Sequence, residues 1–96
     1  MITIVAKNHI KEDKLDEFLA SARRLVEETS KNDSGCVRYE LFQGLSEPQV
    51  LTIIEEWEDE DSLKKHMASE HFREASASFV GLVEGRGEID LYQKLV

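Results

Sequence analysis

The chain predicts an α+β fold of the split βαβ type, and three observations predict it. First, period-two and period-3.6 apolar patterns follow one another as strand, helix, strand, then strand, broken helix, strand. Second, Ile2-Thr3-Ile4-Val5 and Leu51-Thr52-Ile53-Ile54 align at a fixed offset (51 − 2 = 49), and each leads into an acidic helix start. Third, the chain has 96 residues and a single proline, which fits one domain over 1–96 with short connections. The fold class is ferredoxin-like: a four-stranded antiparallel sheet with helices on one face. The repeat further predicts that the first and third strands are parallel neighbours at the sheet centre.

The first strand spans Ile2–Lys7, with Asn8 and His9 at its end. Glu12-Asp13-Lys14 opens a helix with Asp13 as its N-cap. Leu15, Phe18, Leu19, Ala22, Leu25, Val26 and Thr29 make one apolar stripe, which fades around Lys31. Asn32-Asp33-Ser34-Gly35 is turn chemistry. Cys36–Gln43 is the second strand, with Val37, Tyr39 and Leu41 on one face and Arg38, Glu40 and Phe42 on the other.

After a loop at Gly44–Pro48 the third strand runs over Gln49–Trp57. A helix follows from about Asp59 to Ala68, with Leu63, His66 and Met67 on its apolar face. Ser69 caps another helix, whose stripe is Phe72, Ala75, Ser76, Phe79, Val80 and Val83, ended by Gly81, Gly85 and Gly87. Glu88–Leu95 is the last strand. The offset of 49 also pairs Asn8 with Trp57, so the two are expected side by side under the helices, at the strand ends where open α/β sheets bind ligands.

Composition narrows the function. Net charge is −8, which disfavours nucleic acid and anionic membrane surfaces as partners. One cysteine, Cys36, excludes an internal disulfide and a cysteine-based zinc site. No apolar run approaches the roughly 18 residues of a membrane helix, and Met1 leads straight into a strand, so a cytoplasmic protein is expected. Neither a dinucleotide motif nor a flavin or metal signature is present, so no cofactor is expected. His66 and His71 stand five apart across a helix break with no third ligand spaced to join them, which argues against a metal.

Glu56-Trp57-Glu58, then Leu63 and His66, then Ser69-Glu70-His71-Phe72 resemble the signature of the antibiotic biosynthesis monooxygenase family, and Gly35-Cys36-Val37-Arg38-Tyr39 extends the likeness. The resemblance implies a dimeric α+β barrel, and it implies that Asn8 and Trp57 line a substrate pocket. The haem-degrading branch of that superfamily carries a haem-binding histidine where this chain has Ser76, while His66 and His71 resemble the pattern of the quinol- and polyketide-oxidising branch and of its uncharacterised relatives.

His66 faces the apolar side of its helix and can act as acid or base near neutrality. His71 stands at a helix start, where the positive dipole end favours its neutral, proton-accepting form. His66 or His71 is expected to be the base, Asn8 to hold an oxyanion, and Trp57 to offer a stacking face. Tyr39, Phe42, Phe72 and Phe79 are candidate walls for an aromatic ligand, two of them expected to touch it, and Arg86 a cation at the cavity mouth. These residues suit a cofactor-independent monooxygenase using O2 on a small electron-rich aromatic, quinol- or anthrone-like. The alternatives are a non-oxidative isomerase or small-metabolite enzyme, and a ligand-binding module without catalysis. The sheet face away from the helices carries Val5 and Ile54, an apolar patch that a homodimer would bury. Lys7 and Glu56 on that face are expected to pair.

Overall fold

The computed structural model describes all 96 residues. Strand β1 (Ile2–His9) leads through a 3-10 turn (Glu12–Lys14) into helix α1 (Leu15–Asn32). The hairpin β2 (Cys36–Gln43) and β3 (Val50–Trp57) follows, then α2 (Glu60–Ala68), α3 (Glu70–Phe79) and β4 (Glu88–Gln93). The sheet order is β2-β3-β1-β4 and every neighbour pair is antiparallel. No helix is long and apolar enough to cross a membrane.

The antiparallel centre corrects the expected parallel pairing of the first and third strands. The crossover through α1 sets β2 parallel to β1, and the β2–β3 hairpin then reverses direction. The register puts Trp57 opposite Ile2 and Asn8 opposite Leu51. Asn8 and Trp57 do share the helix-side face, but they sit six register positions apart, about 20 Å along the sheet. Lys7 likewise pairs with Thr52 and Glu88, while Glu56 pairs with Thr3, so the expected Lys7–Glu56 partnership does not form.

Helix α1 buries Phe18, Ala22, Leu25 and Thr29, at the spacing of one helical face. It starts later than expected, and Asp13 is exposed within the 3-10 turn rather than capping. The reason is backbone pairing upstream. Ile10 donates to Gln49 O at 2.8 Å and Lys11 to Leu82 O at 2.9 Å, which keeps the chain extended to that point. In β3, Leu51, Ile53, Glu55 and Trp57 alternate as buried residues with half-buried Thr52, Ile54 and Glu56.

The Asp59 side chain caps α2 by accepting from Ser62 N at 2.8 Å. Ser69 separates the two short helices in an extended conformation and caps α3 by accepting from Phe72 N at 3.3 Å. Met67 and Val80 are exposed, against expectation, because Met67 sits off the buried face of α2 and Val80 lies past the end of α3; Leu82 is buried instead.

Two apolar clusters form the interior. One groups Trp57 with Ile4, Leu25, Tyr39, Ile53, Leu63 and Ala75. The other groups Ile10, Phe18, Ala22, Leu51 and Leu82 at the far end of the sheet. A fully buried side chain such as Phe18 stabilises the fold by about 1.5–3 kcal/mol. Gly35 stands where the turn before β2 meets α2. Its φ is +82°, and a Cβ there would lie 2.0 Å from Ser62 Oγ, so the turn before β2 presses directly on the first turn of α2.

Candidate functional site

The chemistry gathers at the Trp57 end, where the α1 C-terminus, the α2–α3 break and two strands meet. Trp57 is fully buried, and its indole N–H donates to Glu55 Oε1 at 2.7 Å. Glu55 reaches this spot because it stands two residues before Trp57 on the same strand face. Tyr39, opposite Glu55 in the β2–β3 register, is buried beside it.

His66 is brought in by α2 and is 1% exposed. Its ring lies 4.7 Å from the Trp57 ring, 4.9 Å from Phe72 and 5.1 Å from Tyr39, centre to centre. Three aromatic walls therefore surround one imidazole. Its Nδ1 lies 2.6 Å from Asp33 Oδ2, and its Nε2 is buried with no hydrogen-bond partner. His71, from the first turn of α3, places Nε2 2.9 Å from the same Asp33 oxygen. A carboxylate oxygen accepts, so both histidine nitrogens donate to it. The break at Ser69 makes this convergence possible. Ser69 N and Oγ both donate to His66 O, at 3.0 and 2.5 Å, turning the chain so that residues five apart reach one acceptor.

Burial governs the electrostatics. It pushes the Glu55 carboxyl up to about 7, with the Trp57 hydrogen bond opposing. It raises the Tyr39 phenol well above its ordinary range, helped by the charge of Glu55. It lowers His66 below its ordinary value against the pull of Asp33, which favours the neutral imidazole.

The sequence-derived candidates fall into two groups. Trp57, His66, His71, Tyr39 and Phe72 come together here. Asn8 does not, since its Oδ1 sits against Gly87 at the opposite end, where a Cβ on Gly87 would approach it to 2.3 Å. Arg86, exposed in the loop just before Gly87, belongs to that far end as well. Phe79 stacks edge-on against Phe18 at 4.5 Å and bridges the two apolar clusters. Phe42 is on the helix-free face, with the Arg38 guanidinium 5.9 Å above its ring.

Two residues of the site were not among the candidates. Glu55 had a legible signal, a carboxylate on the buried period of β3. Asp33 had none, because it is 33 residues from His66 in the chain and reads as part of a turn.

Asp33 also supplies the third ligand that the local spacing lacked. Asp33, His66 and His71 each offer one donor atom within 4.8 Å of the others, a grouping that could hold a divalent cation only at a wider spacing. The separations of 2.6 and 2.9 Å are hydrogen-bond lengths, shorter than the roughly 3.3 Å between ligands on a tetrahedral zinc.

Two grooves flank the cluster. One, of about 410 Å³ between α1 and α3, is lined by His71 with Arg24, Glu28, Glu70 and Glu74. The other, of about 530 Å³ between α1 and β2, is mostly apolar and is lined by Leu19, Val26, Tyr39, Leu41, Phe42 and Leu51. Tyr39 forms part of its wall on one side and contacts His66 on the other.

Comparison with known proteins gives a consistent picture. A family model described as "Antibiotic biosynthesis monooxygenase" matches residues 1–78. A Bacillus subtilis protein named "Putative monooxygenase YcnE" is 34% identical over 73 residues, 76% of each chain. The crystal structure of a conserved protein from Methanosarcina mazei superposes with a TM-score of 0.92 at 38% identity, covering 98% of this chain and 92% of that one. A crystal structure described as an antibiotic biosynthesis monooxygenase has the same TM-score of 0.92 at 29% identity over the whole of both chains. With the fold shared throughout and the family model spanning β1 to α3, this chain belongs to the antibiotic biosynthesis monooxygenase family.

Proposed function

We propose that this protein is a cofactor-independent monooxygenase that oxidises a small electron-rich aromatic of the quinol or anthrone class, with His66 as the base. The observation that carries the reading is a neutral, buried imidazole with one unpartnered nitrogen, its ring packed among those of Trp57, Tyr39 and Phe72. Trp57 and His66 are 0% and 1% exposed, so a flat aromatic substrate stacks on these walls once the packing around His66 opens. Its acidic C–H or O–H is transferred to His66 Nε2, and the resulting carbanion or phenolate reduces O2 directly. For an anthrone-type CH2, one oxygen atom enters as C=O and the other leaves with two hydrogens as water. Exclusion of water keeps the base unsolvated and the charge interactions strong. The apolar groove ending at Tyr39 suits the approach of such a ligand. Membership of a monooxygenase family supports the oxidative assignment. The same reading includes a homodimer formed across the helix-free sheet face.

Oxygen uptake with a panel of dihydroxynaphthalenes and anthrones tests the proposal. Wild type is expected to accelerate uptake, and His66→Gln to lose about 10²–10⁴-fold of the rate, the usual worth of a general base. Turnover that persists under strict anaerobiosis would select the isomerase reading instead. No acceleration across the panel would count against the monooxygenase.

A further inference from the structure

Asp33 is the one carboxylate that touches both histidines, and it touches them through one oxygen. It is held there as the C-cap of α1. Its backbone N–H donates to Thr29 O at 3.1 Å, and its carbonyl accepts from Cys36 N at 3.3 Å. The side chain is only 11% exposed, so its position is set by packing and not by solvent. We propose that Asp33 is a positioning residue that locks His66 with its proton on Nδ1 and His71 with its proton on Nε2, and so keeps the core-facing nitrogen of His66 bare. As a catalytic device this rests on the reading of His66 as the base.

The chemistry follows from which atoms face which partners. A neutral imidazole carries one N–H, and its other nitrogen accepts. With Nδ1–H committed to Asp33, the lone pair of His66 must sit on Nε2, which is buried and unpartnered. When Nε2 takes a proton from substrate, the positive charge spreads over a ring whose Nδ1 lies 2.6 Å from Asp33 Oδ2, and the carboxylate stabilises it. His71 closes the cluster on its solvent side. It lines the groove between α1 and α3, is 19% exposed, and completes a second hydrogen bond to the same oxygen. The carboxylate is thereby fixed from two directions and cannot rotate away from His66. Without Asp33, nothing else in contact with Nδ1 specifies the tautomer.

Long-range proton–nitrogen NMR on the ¹⁵N-labelled full chain, at about pH 8 where a histidine is neutral, reads both tautomers directly. Wild type is expected to show His66 as a single Nδ1–H form and His71 as an Nε2–H form. In Asp33→Asn the amide offers a donor as well as an acceptor, so His66 is expected to shift wholly or partly to Nε2–H. Turnover is expected to fall about 10²–10⁴-fold, with KM changed less than about threefold. Asp33→Glu is expected to restore the Nδ1–H form and part of the rate. A wild-type spectrum with the His66 proton on Nε2 overturns the proposal. So do tautomers that are unchanged in Asp33→Asn. Matched shifts of both histidines on adding Zn²⁺ at stoichiometric levels also overturn it, in favour of a metal cluster. The tautomers are read without substrate or oxygen, so a protein that passes this test yet oxidises nothing would retain the clamp and lose only the monooxygenase reading.

Discussion

At the scale of single residues, the site contains two buried groups whose protons respond oppositely to folding. Native Glu55 holds its proton up to about 7, against an ordinary value of 4.5, because burial penalises the carboxylate. Its contribution to stability is full below the lower value and is lost as the pH rises through the higher one. The gap corresponds to about 3 kcal/mol. Native His66 gives up its proton more readily than the ordinary 6.5, so its contribution is present above that value and is lost as the pH falls. Between them the two slopes oppose each other in mildly acidic buffer. Glu55→Gln is therefore expected to melt at rising temperature as the pH is raised from about 5 to about 7, and His66→Gln at falling temperature over the same range. Thermal unfolding of the two variants across that window checks both signs. Parallel slopes in the two variants would refute the assignment.

At the scale of elements, the break between α2 and α3 is what makes the histidine pair. A continuous helix would place His66 and His71 about 140° apart around its axis, five residues at 100° each. Ser69 turns the chain through two bonds to His66 O and one from Phe72 N. Ser69→Ala removes the cap of α3 and the Oγ bond to His66 O together. It is expected to cost about 1 kcal/mol, a fall of roughly 4–8 °C in Tm for a domain of this size. Hydrogen exchange should localise the loosening to α2 and α3 while β1 and β3 stay protected. Uniform loosening across the chain would show that the cap is not a local device.

At the scale of the whole molecule, β4 is the anomaly. All six of its residues are exposed, although it pairs along its full length with β1. Ile89 and Leu91 are opposite Ala6 and Ile4, on the helix side of the sheet, but remain 68% and 61% exposed. On the other face Tyr92 and Phe42 are exposed, with Val5 and Ile54 half-buried between them. An uncovered apolar edge strand invites association, and a second copy of the chain would cover it. The expected mass in solution is twice 11.0 kDa. Val5→Asp puts a charge at the centre of the helix-free face, and is expected to dissociate the dimer or lower its Tm. Sedimentation of wild type as a monomer at micromolar concentration would remove the barrel assembly.

The sequence by itself determined the element order, the turn at Gly35, the cap at Ser69 and the buried faces of α1 and β3. Each rests on local rules: a period, a cap, a turn residue. It placed His66 inside for the same reason, as one helical face carries Leu63 and His66. Strand direction lay beyond it. The repeat between Ile2–Val5 and Leu51–Ile54 is equally compatible with parallel and antiparallel neighbours, so Asn8 was set beside Trp57 when the register sends it to the other end of the sheet. Only the tertiary structure decided that, because direction depends on how the crossover and hairpin connect the strands and not on any window of residues. It also decided the role of Asp33. A turn residue at the end of α1 becomes the shared acceptor of two histidines 33 and 38 positions away, a contact formed only where α1 ends against the α2–α3 break.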